Sequence, residues 1–425
     1  MDLSRDLIDS GVLSALQLRT GNDTLLPRLW SFECKGATEA FIPFIPLFLT
    51  HKIAHVHVAF AVNSPVVVAS TIARLWTWCP NIQRITLNQL PESPVVTEAL
   101  SEMVLACNRD TLLSFLVNSP LTVEAREVLY NLPKLRHLWA VLQGPTPPPQ
   151  IALSNLATIR LQFDDGSSWP PLFHGANLRG LESVKFVPSQ SAQINGFLEE
   201  FKKVAGSFQN TLSEFYFRTS QSWNPSYASL LEFRKLKILE IEFSCHNRCS
   251  SQVGDDVVLS IAEAMPRLEI LRLGQATCSN PTGATVKSLA ALAHYCPQLS
   301  KLRIHLRLGE SARTEQTPSP KRAVAIPQAD CALTELEVGE ASVPSGTSGK
   351  LAVALTLAQL FPQLNNIHYV NPQWKFVQET VTLSKVMGNR IHDISKIRFP
   401  HSRLPLLNPR KEARWRRNPP NDSVW

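Results

Sequence analysis

The sequence predicts an α/β solenoid with one parallel β-sheet and about 14 irregular repeats, from three observations. First, one short pattern occurs fourteen times: apolar, two variable residues, apolar, one variable residue, apolar. Second, the copies are spaced 21 to 34 residues apart, a period at which each repeat supplies one strand and one return segment. Third, several return segments carry apolar residues at the three- and four-residue spacing of a helix.

Each copy begins with an apolar residue. The fourteen first positions are Leu29, Ile53, Ile82, Leu112, Leu135, Leu156, Leu181, Leu212, Leu236, Leu268, Leu299, Leu333, Leu364 and Ile394. This pattern and period are typical of leucine-rich repeats, which stack into a horseshoe with their apolar positions in the core. We therefore expect the clearest copies to bury Leu239, Ile241, Leu271, Leu273, Leu302 and Ile304.

The return segments at 67–82, 257–265, 285–299 and 351–364 have helical apolar spacing. Before the second of them, Gly254, Asp255 and Asp256 predict a turn and a helix cap. A proline follows such a segment and ends the helix, as Pro266 does before the copy at Leu268. The returns between 135 and 181 are short and rich in proline, so we expect irregular turns there.

Charge divides the chain into a neutral body and a basic end. The formal net charge is +7, but residues 385–417 alone hold ten Lys and Arg against Asp393 and Glu412. The body is therefore not a general binder of polyanions. We expect an N-terminal cap segment at 1–25, the solenoid at 26–400 with a mobile polar insertion at 309–330, and a basic tail at 401–425.

Composition favours a folded protein of the cytoplasm or nucleus. Apolar residues make up 44% of the chain, which excludes bulk disorder. The eight cysteines are scattered, and the first residues show neither a basic start nor the apolar run of a signal peptide, so we expect reduced thiols. The most apolar stretch, 41–49, is too short for a bilayer and contains Pro43 and Pro46, so we expect no membrane contact.

One stretch resembles a known family. The run from 255 to 306, with its Asp255 and its opening Cys296-Pro297-Gln298-Leu299, resembles the cysteine-containing leucine-rich repeats found behind F-boxes. The segments 25–34 and 41–49 are similar to the start of fungal F-box proteins of mushroom-forming species. The resemblance implies repeats that select a protein target for ubiquitylation, and an F-box that docks on the ligase adaptor.

The 28 residues before the first copy contain no Leu-Pro-x-Glu box start, so we expect the F-box itself to be missing from this chain. Adaptor binding then requires an F-box restored upstream. We expect a non-enzymatic protein-binding adaptor, the target-recognition part of an F-box-type substrate receptor. The alternatives are a leucine-rich-repeat scaffold or inhibitor with no ubiquitin link, and an RNA-binding module acting through the basic tail.

Three motifs suggest chemistry and are rejected. Cys245, His246 and Cys249 lack the second ligand pair of a structural zinc site. His55 and His57 share a strand face about 7 Å apart, without a nearby carboxylate or third histidine. The stretch 346–351 imitates a phosphate-binding loop but is too short between its glycines and has Leu351 in place of Ser or Thr, so we expect a turn. We expect no metal, no cofactor and no catalytic residues.

Two segments outside the regular repeats carry further hypotheses. Ser319, followed by Pro320 and two basic residues, is a candidate for a proline-directed kinase. The basic run 410–417 holds one aromatic residue, Trp415. It suits nuclear import or nucleic-acid binding, or else is a solvated tail; nucleic acid is the less favoured partner.

The variable residue between the last two apolar positions of each copy should face the concave side of the sheet. These middle-column residues are Glu33, His57, Thr86, Leu116, Trp139, Arg160, Lys185, Tyr216, Glu240, Arg272, Arg303, Glu337, His368 and Arg398. Neighbours in this column lie about 4.8 Å apart, so we expect the pairs Glu240–Arg272 and Arg303–Glu337.

Arg160 and Lys185 have no acidic neighbour in the middle column. Exposed aromatics together with arginine are typical of binding hot spots. We therefore predict a partner-binding site for an acidic or phosphorylated protein segment; the alternative is a scattered surface with no focus. The predicted site residues are His137, Trp139, Arg160, Lys185, Tyr216 and Arg218.

Overall fold

A computed structural model describes most of the chain. The described residues are 10–20, 24–144, 153–166, 168–173, 178–190, 192–221, 223, 225–243, 253–274, 283–308, 331–341, 343–344 and 346–386. The fourteenth copy at Ile394, the insertion with Ser319 and the basic tail lie outside these ranges. The candidate zinc ligands Cys245, His246 and Cys249 lie outside them as well.

The described residues contain one sheet of thirteen strands, and every pair of neighbours is parallel and consecutive in the chain. The strands are β1 (Ser31–Ala37), β2 (His55–Phe60), β3 (Arg84–Asn88), β4 (Ser114–Pro120), β5 (His137–Leu142), β6 (Thr158–Phe163), β7 (Ser183–Pro188), β8 (Glu214–Arg218), β9 (Ile238–Glu242), β10 (Ile270–Leu273), β11 (Lys301–Arg303), β12 (Glu335–Gly339) and β13 (Asn366–Tyr369). They correspond one to one with the first thirteen sequence copies.

Helices lie before β1, after β13 and between many of the strands. They are α1 (Ser10–Thr20), α2 (Pro65–Trp78), α3 (Pro94–Ala106), α4 (Val123–Tyr130), α5 (Pro170–Phe173), α6 (Phe197–Val204), α7 (Asp255–Ala264), α8 (Val286–Tyr295), α9 (Thr347–Leu360) and α10 (Trp374–Val386). Short 3-10 helices lie at Ile42–Leu47, Ala205–Ser207 and Tyr227–Leu230. Strand and return alternate in this way along one open parallel sheet, so the fold is a leucine-rich-repeat solenoid.

The strands bury alternate side chains, as the repeat pattern predicts. In β6, β7 and β9, buried residues alternate with half-buried ones along the strand. The six core residues expected from the clearest copies are at most 2% exposed: Leu239, Ile241, Leu271, Leu273, Leu302 and Ile304. Because one strand face packs into the core with the helices, the alternate residues form the opposite surface of the sheet, here called the open face.

The predicted helices are confirmed, with two local corrections. Asp255 does not cap its own helix, because Gly254 is the N-cap residue of α7 and no side chain caps it. The Asp255 carboxylate instead accepts hydrogen bonds from the next repeat: from the Thr285 backbone N–H and hydroxyl, both at 2.7 Å, and from the Ser288 hydroxyl at 2.5 Å. Burial alone would raise the pKa of Asp255, but these bonds outweigh it and lower that pKa.

The stretch 346–351 is the second correction. We expected a turn, but α9 begins at Thr347, and Gly346 precedes it at a φ of +96°. A left-handed residue ends the incoming loop, and the helix starts directly after it. The return between β6 and β7, expected to be irregular, likewise contains the short helix α5, which opens on two prolines at positions that need no backbone N–H.

Five described cysteines are buried and form no disulfide, three near the first strands and two near β11 and β12: Cys34, Cys79, Cys107, Cys296 and Cys331. Cys296 and Cys331 donate long hydrogen bonds to backbone carbonyls of the repeats before them, at 3.5 to 3.7 Å. Burial raises the pKa of the Cys79 and Cys296 thiols to about 12. These thiols pack between repeats.

Candidate functional site

The middle column of the open face is in register across all thirteen strands. Trp139 pairs with Arg160, Arg160 with Lys185, and Lys185 with Tyr216. The same register runs through the rest of the column, from Glu33 on β1 to His368 on β13. Because parallel strands lie about 4.8 Å apart, each side chain contacts the next, as the sequence predicts.

From β9 to β12 the column neutralises itself. Arg272 donates to Glu240 at 3.0 Å, and Arg303 donates to Glu337 at 2.6 Å. Both predicted ion pairs are confirmed. Burial alone would lower the pKa of Arg303, but its hydrogen bonds to Glu337 and Glu242 raise it above the usual value.

Glu242 adds a bridge that the middle column does not show. It lies two residues after Glu240 on the same face of β9, and its Oε1 accepts a hydrogen bond from Arg303 Nη1 at 2.6 Å. Arg303 is on β11, so this contact spans the intervening β10. Gly274 has a φ of +83°, and a Cβ there would lie 3.1 Å from the His305 ring. A side chain at Gly274, directly after β10, would therefore press against His305.

From β5 to β8 the column is aromatic and cationic. The Arg160 guanidinium carbon lies 3.6 Å from the centre of the Trp139 ring, a close cation–π contact. Lys185 Nζ lies 5.6 Å from the centre of the Tyr216 ring. We expected these four side chains to be exposed; they are half-buried, because in-register packing covers each with its neighbours. We call these four residues the cationic cluster.

The two cations of this cluster are not neutralised. Within the described ranges, no carboxylate lies within ion-pair distance of Arg160 or Lys185. Burial and the nearby Arg218 lower the pKa of Arg160. Burial and then Arg160 lower the pKa of Lys185, partly opposed by Glu240. The cluster thus holds two positive charges in a setting that disfavours them.

Two polar atoms of the cluster are buried and make no hydrogen bond: Trp139 Nε1 and Arg160 Nε. Both are donors, and an unsatisfied buried donor costs about 1–3 kcal/mol of stability. Tyr216 is partly satisfied, because its hydroxyl donates to Glu214 at 3.4 Å. Burial and the carboxylates of Glu214 and Glu240 raise the pKa of Tyr216 to about 12. The cluster therefore holds positive charge and two covered, unsatisfied donors.

The two remaining predicted site residues flank the cluster. His137 lies two residues before Trp139 on β5 and pairs in register with Thr158. Arg218 lies at the end of β8, where Arg218 Nε is 3.4 Å from Glu242 Oε2. The sequence prediction considered acidic partners in the middle column alone and so missed this one. Alternation along β9 was the signal that could have found it, since Glu242 follows Glu240 by two.

An aromatic core lies under the cluster. Phe186, between Val184 and Pro188 on the buried side of β7, packs edge-on against Trp169, Phe197 and Phe201 at centroid distances of 4.8 to 5.6 Å. Phe215 of β8 packs on Phe201 at 5.0 Å. Large rigid rings with few rotamers hold the strand backbones in place. This packing thereby fixes the strands that carry the side chains of the open face.

The histidine pair on β2 needs a correction. We expected no carboxylate near it, yet His57 Nδ1 lies 3.1 Å from Glu33 Oε1, the neighbouring residue of the middle column. His57 Nε2 also contacts Asn88 at 3.1 Å, so this imidazole is held by two neighbours. Within the described part of the chain, no three His, Cys, Asp or Glu side chains gather as a metal site requires.

The search for relatives adds little. The sequence matches no protein-family model and no curated protein. Among solved structures it is similar to a leucine-rich-repeat protein of Leptospira interrogans, at 12% identity and a TM-score of 0.34, over 87% of this chain and 97% of that chain. A likeness at that score carries no argument, so the assignment of the fold rests on the register and burial described above. No helix in the described ranges has both the length and the apolarity to cross a bilayer.

Proposed function

We propose that this chain is a non-enzymatic adaptor whose open face binds a protein partner at the cationic cluster. The observation that carries the proposal is the pair Arg160 and Lys185, half-buried between two aromatic rings and without a carboxylate partner among the described residues. A fold under selection for stability alone gains by pairing or replacing such charges. The presence of both cations here favours a ligand that supplies the missing negative charge.

The composition of the cluster supports a protein partner. Trp, Tyr and Arg are the residues most enriched in interface hot spots, and here Trp139, Arg160 and Tyr216 lie in one row. Arginine binds carboxylate and phosphate oxygens bidentately, so the segment recognised on the partner is acidic or phosphorylated. The donors Trp139 Nε1 and Arg160 Nε are buried and unsatisfied, so a bound acceptor reaches them only if these side chains turn.

The finer proposal is that the adaptor selects targets for an F-box-type ubiquitin ligase in the cytoplasm or nucleus. It is supported by the resemblance of the repeats around Cys296, and by the Asp255 bridge that joins two of them. The alternative is a leucine-rich-repeat scaffold or inhibitor with no ubiquitin link. The ligase proposal and the scaffold alternative differ in one observable. A ligase adaptor that co-purifies with the native protein supports the first, and a native complex without such an adaptor supports the second.

The binding site is tested by affinity purification and mass spectrometry with three baits. These are the full chain, the double variant Trp139→Ala/Arg160→Ala, and Glu240→Ala as a matched control on the same column. A partner of the cluster is captured by the full chain and the control and is lost with the double variant. Equal recovery of every protein by all three baits would place the binding surface elsewhere.

A further inference from the structure

Arg218 pairs with Glu242, and this carboxylate also has a second arginine partner. Its side chain is 73% exposed, and its contact with Glu242 is long, at 3.4 Å. The other oxygen of Glu242 is held by Arg303 at 2.6 Å, and Arg303 is only 17% exposed. Exposed ion pairs contribute little to stability, whereas short and partly buried pairs are stronger. Arg218 can therefore leave Glu242 while Glu242 stays paired.

The cationic cluster lies within reach of Arg218. Lys185 is one strand away and two residues earlier in register, which puts the two Cα atoms about 8 Å apart. The two long side chains can meet across that distance. Their charges already interact, because Arg218 contributes to the lowered pKa of both Arg160 and Lys185. An anion bound between Arg160 and Lys185 would attract Arg218 as a third cation.

The charge of the cluster matches a phosphate better than a carboxylate. Arg160 and Lys185 are two unneutralised charges, and a carboxylate group would neutralise one of them. A phosphorylated side chain carries about −1.5 to −2 at pH 7 and presents three acceptor oxygens. It would neutralise both cations and leave one oxygen for a third donor. Arg218 is an exposed donor on the same face, and its contact with Glu242 is long.

Resting on the proposed function, we propose that the segment recognised by the cationic cluster is phosphorylated, and that Arg218 transfers from Glu242 to the bound phosphate. Arg160 and Lys185 hold two of the phosphate oxygens, and Arg218 closes on the third. Glu242 remains paired with Arg303. Arg218 is thus the residue that separates a phosphorylated partner from an acidic one.

The test uses the full chain and four pools of degenerate peptides that differ only in their central residue: phosphoserine, phosphotyrosine, glutamate or serine. Binding is measured by fluorescence anisotropy at fixed ionic strength. The parent chain should bind at least one phosphorylated pool about tenfold or more tightly than the glutamate pool. The two phosphorylated pools show which side chain carries the phosphate.

Two variants and a control isolate Arg218. Arg218→Ala should lose about tenfold in affinity for the phosphorylated pool and less than about twofold for the glutamate pool. Glu242→Gln, which frees Arg218 and leaves Arg303 with Glu337, should retain or tighten phosphopeptide binding. Arg267→Ala removes the same charge from an exposed turn between α7 and β10 and should change nothing.

The outcomes separate this inference from the proposal it rests on. Equal affinity for phosphorylated and glutamate pools, or an Arg218→Ala variant that behaves like Arg267→Ala, overturns the inference. If Trp139→Ala still weakens every pool in that case, the binding site itself stands. If the parent chain binds none of the four pools, both the inference and the acidic or phosphorylated partner are wrong.

Discussion

Two four-strand groups of the open face have the same strand spacing but opposite charge balance. We call β9–β12 the paired half and β5–β8 the unpaired half. On β9–β12, Arg272 and Arg303 meet glutamates at 3.0 and 2.6 Å. On β5–β8, Arg160 and Lys185 meet aromatic rings instead. The pKa of Arg303 is raised, since its glutamates outweigh its burial, whereas burial lowers the pKa of Arg160. The charges of the first group pair with one another, whereas the two cations of the second have no carboxylate at ion-pair distance among the described residues.

The largest effect should come from the core beneath the paired half. Leu271 is fully buried, so Leu271→Asp puts an unpaired charge in the core and should cost several kcal/mol, about 4 or more. Leu271→Ala, which leaves a cavity without a charge, should cost less, about 3 kcal/mol. Urea denaturation followed by circular dichroism gives both values. A Leu271→Asp variant as stable as the parent would contradict the assignment of the core.

The second effect concerns binding by the unpaired half. Trp139→Ala and Arg160→Ala should each weaken binding to the captured partner by roughly thirtyfold, or about 2 kcal/mol, with the fold intact. Glu240→Ala should change affinity little, because Glu240 serves Arg272. Calorimetry on the three variants measures the difference. A Trp139→Ala variant with the affinity of the parent would contradict the proposal that the unpaired half binds the partner.

The third effect compares the stabilities of two matched variants. Arg303→Met leaves Glu242 and Glu337 without their shared partner and should cost about 1–3 kcal/mol. Arg160→Met removes an unneutralised cation and keeps an apolar stem on Trp139, so it should be neutral or stabilising by up to about 1 kcal/mol. Chemical denaturation of both variants measures the two changes in the free energy of unfolding. Equal losses would mean that the two halves do not differ in charge balance.

The smallest effect is a pH dependence from two histidines, His137 on β5 and His55 on β2. Burial and then Arg84 lower the pKa of His137 and of His55. A histidine whose pKa is lower in the folded state binds protons more readily when unfolded, so its contribution is complete above the unfolded pKa of about 6.5 and is lost as the pH falls below it. The melting temperature should therefore drop between pH 7 and pH values below 6.5.

The matched variants for this pH dependence are His137→Gln and Arg84→Gln. The first removes one titrating group, and the second removes a positive charge that lowers both histidine pKa values. Each should make the drop in melting temperature smaller than in the parent, at constant ionic strength. An unchanged slope in both variants would show that these imidazoles are not coupled to Arg84.

The sequence predicts the fold and register well because both follow from apolar periodicity. The thirteen described strands match the sequence copies, and the pairs Glu240–Arg272 and Arg303–Glu337 follow from strand spacing alone. The helical return segments are predicted equally well, since α7 and α8 lie where apolar residues recur at intervals of three and four residues. Periodicity is a local property, and repeat contacts are between neighbours.

The sequence does not predict contacts that depend on side-chain conformation across strands. The bridge from Glu242 to Arg303 spans the strand between them, and the position of Arg160 over Trp139 needs a particular rotamer. The role of Asp255 also differs from the expected cap, because its partners lie in the next repeat. The binding role of the cationic cluster stays a prediction until a partner is found.

The reactivity of the buried cysteines reports local unfolding of this solenoid. A thiol reacts as a thiolate and needs access, so burial and a pKa near 12 at Cys79 and Cys296 make labelling depend on local unfolding. Cys34, Cys79 and Cys107 report on the first repeats, and Cys296 and Cys331 on later ones. The cationic cluster lies between these two groups. Alkylation rates of the individual cysteines, measured by mass spectrometry, would therefore report local unfolding on each side of the cluster separately. The comparison is made with and without a ligand bound at the cationic cluster.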